Sequence, residues 1–205
     1  FYQVDSPLRD DELYLHILDR EARCTSLMST DYRRMDWKRH LLQANAVGSE
    51  VIDLPISDSN CDETSLHRLL DRQAVILIYG EDCKACTKLM EEAVNSSVLK
   101  KAASDDKLRL ISLYIGENND EFAAKSAVLK DRANYIDSRQ LVRYENAFDS
   151  RLVPSLYLIS DKKMVKVKGT LSVKEIEKAL DAPAVYSTRI VLNEGEQVWG
   201  GRIAD

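Results

Sequence analysis

Residues 74–90, AVILIYGEDCKACTKLM, carry the strongest structural signal in this chain. The nearly uninterrupted apolar run from Ala74 to Tyr79 predicts a strand that is covered on both faces. Gly80-Glu-Asp ends the run, and apolar residues then recur at helical spacing from Cys86 onward. We therefore expect a buried strand that turns directly into a helix, with two cysteines at the turn.

The flanking sequence extends this unit into an α/β domain. Leu108 to Ile115 is predicted to be the next buried strand and Glu121 to Lys130 the next helix, an order typical of a right-handed crossover between parallel strands. Ser155 to Ile159 and Met164 to Lys168 predict an antiparallel hairpin. Five further segments are predicted: a short helix through Leu66, Leu69 and Leu70, a helix from Cys83 to about Leu99, a short strand at Tyr135-Ile136, and helices from Arg139 to Phe148 and Val173 to Leu180.

Two helices are predicted ahead of this domain. The first extends from Ser6 to about Met28, and the second from Asp31 to about Asn45. The apolar face of the first is predicted to comprise Leu13, Ile17, Cys24 and Met28, and that of the second Tyr32, Met35, Leu42 and Ala44. Val51 to Ile56 has strand composition broken by Pro55, and the polar turn after it predicts a boundary near residue 56.

The composition is that of an ordinary globular protein. Of 205 residues, 44% are hydrophobic and 31% charged, which excludes collagen-like and largely disordered chains. The net charge is −5 without a basic run, so nucleic acid is not an expected partner. No stretch reaches the ~18 to 20 apolar residues of a membrane span, so a soluble chain is expected. Because the chain begins at Phe1 without a signal-peptide pattern, we expect it to be the body of a longer precursor, for which export is permitted.

Cys83-Lys-Ala-Cys86 has the spacing of a redox-active pair. On the first turn of a helix this spacing brings two sulfurs close enough to bridge, and the helix N-terminus stabilises a thiolate at Cys83. Cys83 is then the exposed attacking sulfur and Cys86 the buried resolving thiol. The alternatives are half of a zinc site or two unreactive core cysteines. A zinc site needs two more ligands, and no second cysteine pair or His pair at ligand spacing exists.

The other candidates carry weaker signals. Cys24 and Cys61 are expected to be free and buried, although a disulfide between them is the alternative. Trp37 is expected to be partly buried, with an interaction face as the alternative. Pro154 leads directly into an apolar strand, where it cannot donate to the ladder, so it must stand at the strand's start. A cis bond there would be a deliberate feature.

Together, the strand, the Cys-x-x-Cys helix and Pro154 resemble the thioredoxin-like superfamily over roughly residues 66–180. The resemblance implies a cis Val153–Pro154 bond beside the cysteines, with the backbone of Val153 pairing with an extended substrate segment. The helix and strand from Asn119 to Tyr135 are similar to an insertion typical of the membrane-anchored, extracytoplasmic branch. The expected fold is therefore α/β, a central mixed sheet flanked by helices, with an N-terminal helical extension.

A closer resemblance covers nearly the whole chain. The segments that carry it are Ser6-Pro-Leu-Arg-Asp-Asp-Glu-Leu-Tyr14, Asn45-Ala-Val-Gly48 with Asp53, Glu81-Asp-Cys-Lys-Ala-Cys86, Leu152-Val-Pro-Ser-Leu-Tyr-Leu158 and Asp161-Lys-Lys163. They are similar to a bacterial family of secreted or lipid-anchored proteins in which a helical domain of unknown function precedes a thioredoxin-like domain. We therefore expect a helical extension at residues 1–56 and a thioredoxin-like domain at 57–181. Residues 182–205 lie outside the resemblance and are expected to be a C-terminal extension of unknown role.

Three positions depart from better-known thioredoxins. Asp82 replaces the usual aromatic residue before the first cysteine, Ala85 replaces the proline before the second, and Leu77 replaces a buried acid. Negative charge at Asp82 opposes a thiolate at Cys83, whereas Lys84 favours it. Asp82 and Lys84 are therefore candidate modulators, and the direction in which the pair operates stays open.

The sequence therefore predicts a thiol–disulfide oxidoreductase of the periplasm or cell envelope. Its substrates are expected to be protein thiols or disulfides, with a protein electron donor and no cofactor, because the dithiol itself carries two electrons. A monomer is expected, and the resemblance allows a lipid anchor in the precursor. The alternative is a thioredoxin-like interaction module whose disulfide is structural or idle.

Overall fold

The computed structural model describes residues 10–23, 29–117, 119–128, 133–144, 147–183, 185–192 and 196–203. The helices within these ranges are α1 (Asp11–Ala22), α2 (Ser29–Gln43), α3 (Leu66–Leu69), α4 (Lys84–Asn95), α5 (Ser97–Ser104), α6 (Asn119–Val128), α7 (Leu141–Tyr144) and α8 (Val173–Ala179). The strands are β1 (Pro55–Ser57), β2 (Glu63–Ser65), β3 (Gln73–Tyr79), β4 (Leu108–Tyr114), β5 (Ala133–Asp137), β6 (Ser155–Ile159), β7 (Val165–Thr170), β8 (Val185–Leu192) and β9 (Glu196–Ile203).

Seven of these strands form one mixed sheet in the order β2-β1-β5-β4-β3-β6-β7. β3, β4 and β5 are parallel, while β6 and β7 continue the sheet beyond β3 in antiparallel pairing. The predicted crossover from β3 to β4 and the predicted β6–β7 hairpin are both confirmed. β8 and β9 pair with each other in a separate antiparallel sheet within the region for which no role was predicted.

The sheet is covered on both faces, which explains the continuous apolar run in β3. Val75, Leu77 and Tyr79 pack into the cluster under α4, α5 and α8, which includes Cys86. The intervening residues Ala74, Ile76 and Ile78 pack into a second cluster on the opposite face. Successive side chains of a strand point to opposite faces of the sheet. When both faces are buried, every buried position of the strand therefore favours an apolar side chain.

Two predicted helices have different bounds in the structure. The helix expected from Cys83 to Leu99 is broken at Ser96, whose hydroxyl oxygen accepts a hydrogen bond from the Leu99 N–H at 3.0 Å. Ser96 thus caps a new helix, α5, because a serine side chain satisfies a backbone donor that the first turn leaves open. The helix expected from Arg139 to Phe148 is described only as the single turn α7.

The predicted apolar face of the first helix was wrong. Leu13 and Ile17 are 41% and 37% exposed, whereas Leu15 and Leu18 are buried against α2. The remaining members of the predicted face, Cys24 and Met28, lie outside the described residues, as do Ser6 and Pro7. In α2, Met35 and Leu42 are buried as expected, but Tyr32 is 48% exposed. The periodicity of a short helix does not distinguish between two overlapping apolar faces.

Lys168 on β7 joins the end of α2 to the sheet. Its ammonium group donates hydrogen bonds to the carbonyls of Leu41, Leu42 and Ala44 at 3.0, 2.8 and 2.8 Å. These carbonyls lie at the end of α2, where they have no helical donor and where the helix dipole attracts a cation. β1 lies across the boundary predicted at residue 56 and pairs with β5. The division of the chain into three parts remains a prediction.

Asp137, at the end of β5, makes the stability of the fold depend on pH. Burial raises the pKa of its carboxyl above the usual 3.8, although backbone hydrogen bonds such as that from Val142 N–H, at 2.8 Å, oppose this shift. The folded state therefore holds a proton in a pH range where the unfolded state has lost it. The stabilisation is complete below the unfolded pKa and is lost as the pH rises through the folded value.

Asp137→Asn should remove this dependence, because the amide stays neutral and its oxygen can still accept the Val142 N–H. We expect the free energy of unfolding of the variant, relative to that of the wild type, to increase from about pH 4 towards neutrality, as measured by urea unfolding. Asp71→Asn is the control of opposite sign, since a hydrogen bond from Arg72 lowers the pKa of Asp71. A difference that is constant with pH at Asp137 would contradict the prediction.

Candidate functional site

Cys83 and Cys86 lie where β3 ends and α4 begins, at the carboxyl edge of the parallel strands. They form a disulfide with an S–S distance of 2.05 Å and a Cα–Cα distance of 5.2 Å. Cys83 is the N-cap of α4, and its sulfur accepts a hydrogen bond from the Cys86 N–H at 3.1 Å. Cys83 is half-buried, whereas Cys86 is fully buried beside Leu89 and Met90. The two cysteines thus differ in exposure, as an attacking and a resolving cysteine would need to.

Val153 and Pro154 lie at the same edge of the sheet, and the peptide bond between them is cis. Ser155 pairs with Ile78 near the end of β3, so the residues just before β6 lie beside those just after β3. A Cβ atom added to Gly80 would lie 3.4 Å from Cγ1 of Val153. Fold topology therefore brings residues 153–154 next to the segment that leads to Cys83, although some seventy residues separate them in sequence.

The structure also shows where the residues that differ from better-known thioredoxins lie. Leu77 is buried, with Ser112 of β4 and Leu156 of β6 as its sheet neighbours. An apolar side chain thus occupies the position of the buried acid. The two candidate modulators, Asp82 and Lys84, are both exposed on either side of Cys83. Asp82 has a φ of 45°, in the left-handed region that residues other than glycine seldom adopt.

Sequence reasoning missed a set of contacts that holds the three residues preceding Cys83. Lys125 of α6 donates a hydrogen bond to the Gly80 carbonyl at 3.2 Å, and the Glu81 carboxylate accepts one from the Glu117 N–H. The Asp82 N–H donates to both carboxylate oxygens of Glu121, at 3.2 and 3.3 Å. We call residues 80–82 the approach segment. Each of its residues is bound by the segment that follows β4.

Glu121 and Lys125 also form an ion pair with each other, with Nζ and Oε1 2.5 Å apart. Both side chains are about four-fifths buried, at 19% and 20% exposure. The spacing Glu121 to Lys125 is a known helix-stabilising pair and was visible in the sequence. Nothing in the sequence indicated that the pair would face the approach segment, because that depends on α6 returning to the edge where β3 ends.

Aromatic residues fill the space below this ion pair. Tyr79 donates a hydrogen bond to the side-chain carbonyl of Asn134 at 2.9 Å, and Lys125 Nζ lies 5.3 Å from the centre of its ring. Burial raises the pKa of Tyr79 well above its usual value, so the hydroxyl stays protonated at neutral pH. A Cβ atom at Gly116 would overlap the hydroxyl of Tyr114, so only glycine fits where the chain leaves β4.

The remaining sequence candidates lie outside this site. Cys61 is exposed and free, so the expectation that it is buried was wrong, and Cys24 lies outside the described residues. Trp37 is 43% exposed, and the guanidinium of Arg151 lies 5.4 Å from its ring centre. In the described part of the chain, no group of three or more Cys, His, Asp or Glu residues is arranged to hold a metal ion. No helix in that part is long and apolar enough to span a membrane.

The architecture defines the class of protein. A mixed sheet with a Cys-x-x-Cys helix directly after β3 and a cis proline before the adjacent antiparallel strand β6 places the chain in the thioredoxin-like superfamily. No protein-family model matches the sequence, and no curated protein matches it.

Three solved structures of bacterial proteins illustrate what this chain is similar to. A thioredoxin-like protein from Bacteroides caccae is 25% identical with a TM-score of 0.80, over 87% of this chain and 65% of that protein. A domain of a possible thiol-disulfide isomerase from Cytophaga hutchinsonii is 16% identical with a TM-score of 0.53, over 65% of this chain and 90% of the domain. The thioredoxin domain of a thiol-disulfide oxidoreductase from Bacteroides vulgatus is 14% identical with a TM-score of 0.51, over 66% of this chain and 99% of that domain.

Proposed function

We propose that this protein is a thiol–disulfide oxidoreductase of the bacterial cell envelope, with Cys83 as the nucleophile and Cys86 as the resolving thiol. The observation that carries the proposal is the unequal exposure of two disulfide-bonded cysteines at the N-terminus of α4. Unpaired backbone donors at a helix N-terminus stabilise a thiolate, and only an accessible thiolate attacks a substrate disulfide. The residues of Val153–Pro154 provide an adjacent edge on which an extended substrate can lie.

The reduction of a substrate disulfide proceeds in two exchanges. The Cys83 thiolate forms a bond to one substrate sulfur, the substrate S–S bond breaks, and the released thiolate takes up a proton. Cys86 then gives up its proton and attacks the sulfur of Cys83, which forms the intramolecular disulfide and breaks the mixed disulfide. The second substrate sulfur leaves as a thiolate and takes up a proton. The protein loses two electrons and the substrate gains them. Oxidation of a dithiol substrate follows the same steps in reverse.

The partners follow from this chemistry. Substrates are protein thiols or disulfides, a protein electron donor or acceptor resets the pair, and no cofactor takes part because the two sulfurs carry the electrons. Export, with a lipid anchor in the precursor, agrees with the bacterial family that the sequence resembles. We propose the protein to be a monomer, and we assign modulation of the Cys83 thiolate to Asp82 and Lys84, which flank it.

Alkylation of the reduced protein tests the proposal. Iodoacetamide near neutral pH should modify Cys83 at least about tenfold faster than Cys61. Reactivity follows the thiolate fraction, which rises about tenfold when the pKa of the thiol falls by one unit. Cys61 is a matched internal control because it is free and exposed. Peptide mass spectrometry over time gives both rates. Equal rates at Cys83 and Cys61 would overturn the proposal and favour an interaction module with an idle disulfide.

A further inference from the structure

The approach segment, residues 80–82, is held by contacts from residues 117, 121 and 125, which follow β4. Asp82 adopts a φ of 45°, which costs free energy for a residue with a Cβ atom. The residue that follows it is Cys83, whose sulfur caps α4 by accepting the Cys86 N–H. A change of backbone angle at Asp82 would therefore swing Cys83 away from the end of the helix.

Glu121 supplies the external contact at this residue. Its carboxylate accepts the Asp82 N–H, and its ion pair with Lys125 fixes the carboxylate in place. Lys125 in turn donates to the carbonyl of Gly80, so the pair contacts both ends of the approach segment. Both side chains are largely buried, which makes these contacts less exposed to competition from water than those of a surface pair.

We propose that Glu121 is a positioning residue for Cys83, with Lys125 as its support, and that the two together keep the attacking sulfur at the N-terminus of α4. This inference rests on the proposed function of Cys83. Glu121 acts through the Asp82 backbone and exchanges no proton or electron with the substrate. The positioning by Glu121 matters most in the reduced protein, because the Cys83 thiolate then depends on the helix end for its stabilisation.

The negative charge of Glu121 has the opposite effect on the Cys83 thiolate from the positioning contact. A carboxylate near a thiolate disfavours the thiolate, so removal of that charge alone should increase the reactivity of Cys83. Loss of the positioning contact should decrease it. Two variants separate these effects: Glu121→Gln keeps an oxygen that can accept the Asp82 N–H but lacks the charge, whereas Glu121→Ala lacks both.

The test measures alkylation of reduced Cys83 by iodoacetamide near neutral pH in the full chain. We expect Glu121→Ala to slow the reaction by about threefold to tenfold, the effect of losing one net hydrogen bond, and Glu121→Gln to react at least as fast as the wild type. The equilibrium with glutathione should shift towards the disulfide in Glu121→Ala, because its thiolate form is less stable. Glu91→Ala is the control, since it removes an exposed carboxylate from α4 itself.

Each outcome has one interpretation. Reactivity in Glu121→Ala equal to or above that of the wild type would overturn the positioning role. Glu121→Gln that is as slow as Glu121→Ala would overturn it as well, because the retained acceptor would then have no effect. Thermal unfolding of all variants identifies any that are not folded, in which case Lys125→Met, which leaves Glu121 in place without its support, should show a smaller slowing of the same sign. If wild-type Cys83 reacts no faster than Cys61, it is the proposed function that fails instead.

Discussion

Cys83→Ser is expected to reduce disulfide exchange to the uncatalysed rate. The serine hydroxyl does not ionise near neutral pH and cannot form a mixed disulfide, so no first step remains. Reduction of a protein disulfide such as those of insulin, with dithiothreitol as the electron source, measures the effect. Cys61→Ser is the matched control, because this cysteine is exposed and lies outside the motif. Residual turnover by Cys83→Ser above background would mean that another group carries the activity.

Cys86→Ser should separate the two steps. Cys83 keeps its place at the helix end and still attacks, but the adduct cannot be resolved from within. A well-oriented internal group has an effective concentration on the order of 10⁵ M or more, so a millimolar external thiol releases the substrate several orders of magnitude more slowly. Mixed disulfides should accumulate to one per chain on non-reducing gels. The absence of adducts would show that Cys83 is not the attacking sulfur.

Asn45→Ala is expected to lower the free energy of unfolding by roughly 2 to 4 kcal/mol. Asn45 is buried with a φ of 50°, where asparagine is tolerated better than alanine. Its amide donates to the carbonyl of Ala147 at 2.6 Å, and its side-chain oxygen accepts the Ile52 N–H at 2.7 Å. The variant loses both contacts and adds backbone strain.

Two further variants make this result specific. Asn45→Gly loses the same hydrogen bonds but tolerates the left-handed backbone. Its free energy of unfolding should therefore lie between those of the wild type and Asn45→Ala. Asn60→Ala changes an exposed asparagine and should stay within about 0.5 kcal/mol of the wild type. Urea unfolding followed by circular dichroism gives the values. An unchanged midpoint in Asn45→Ala would contradict the structural role assigned here.

Asn45 matters to the site because it holds the start of the loop that leads to Pro154. Ala147 and Phe148 open that loop, and Phe148 packs edge-on against Tyr157 with ring centres 4.9 Å apart. The segment before β1 therefore fixes the loop on one side and the core fixes it on the other. The N-terminal part of the chain thus contacts the segment that leads to Val153–Pro154.

Much of the central architecture was predictable because its signals are local. An apolar run without polar alternation identified β3, the spacing of Cys83 and Cys86 identified the start of α4, and a four-residue gap identified the β6–β7 hairpin. Each of these follows from side chains within a few residues of each other. The same rules failed where burial depends on packing against distant parts of the chain, as for the buried face of α1 and the exposure of Cys61.

The strand before the cysteine pair, the helix that begins at the pair and the β6–β7 hairpin could be predicted from the sequence, since periodicity and spacing are properties of neighbouring residues. The surroundings of the cysteine pair depend on tertiary contacts. Glu121 follows Asp82 by 39 positions, and the two meet because a parallel crossover returns the chain to the edge of the sheet where β3 ends. Contacts of this kind depend on how strands pair across the sheet, which no local pattern of residues encodes.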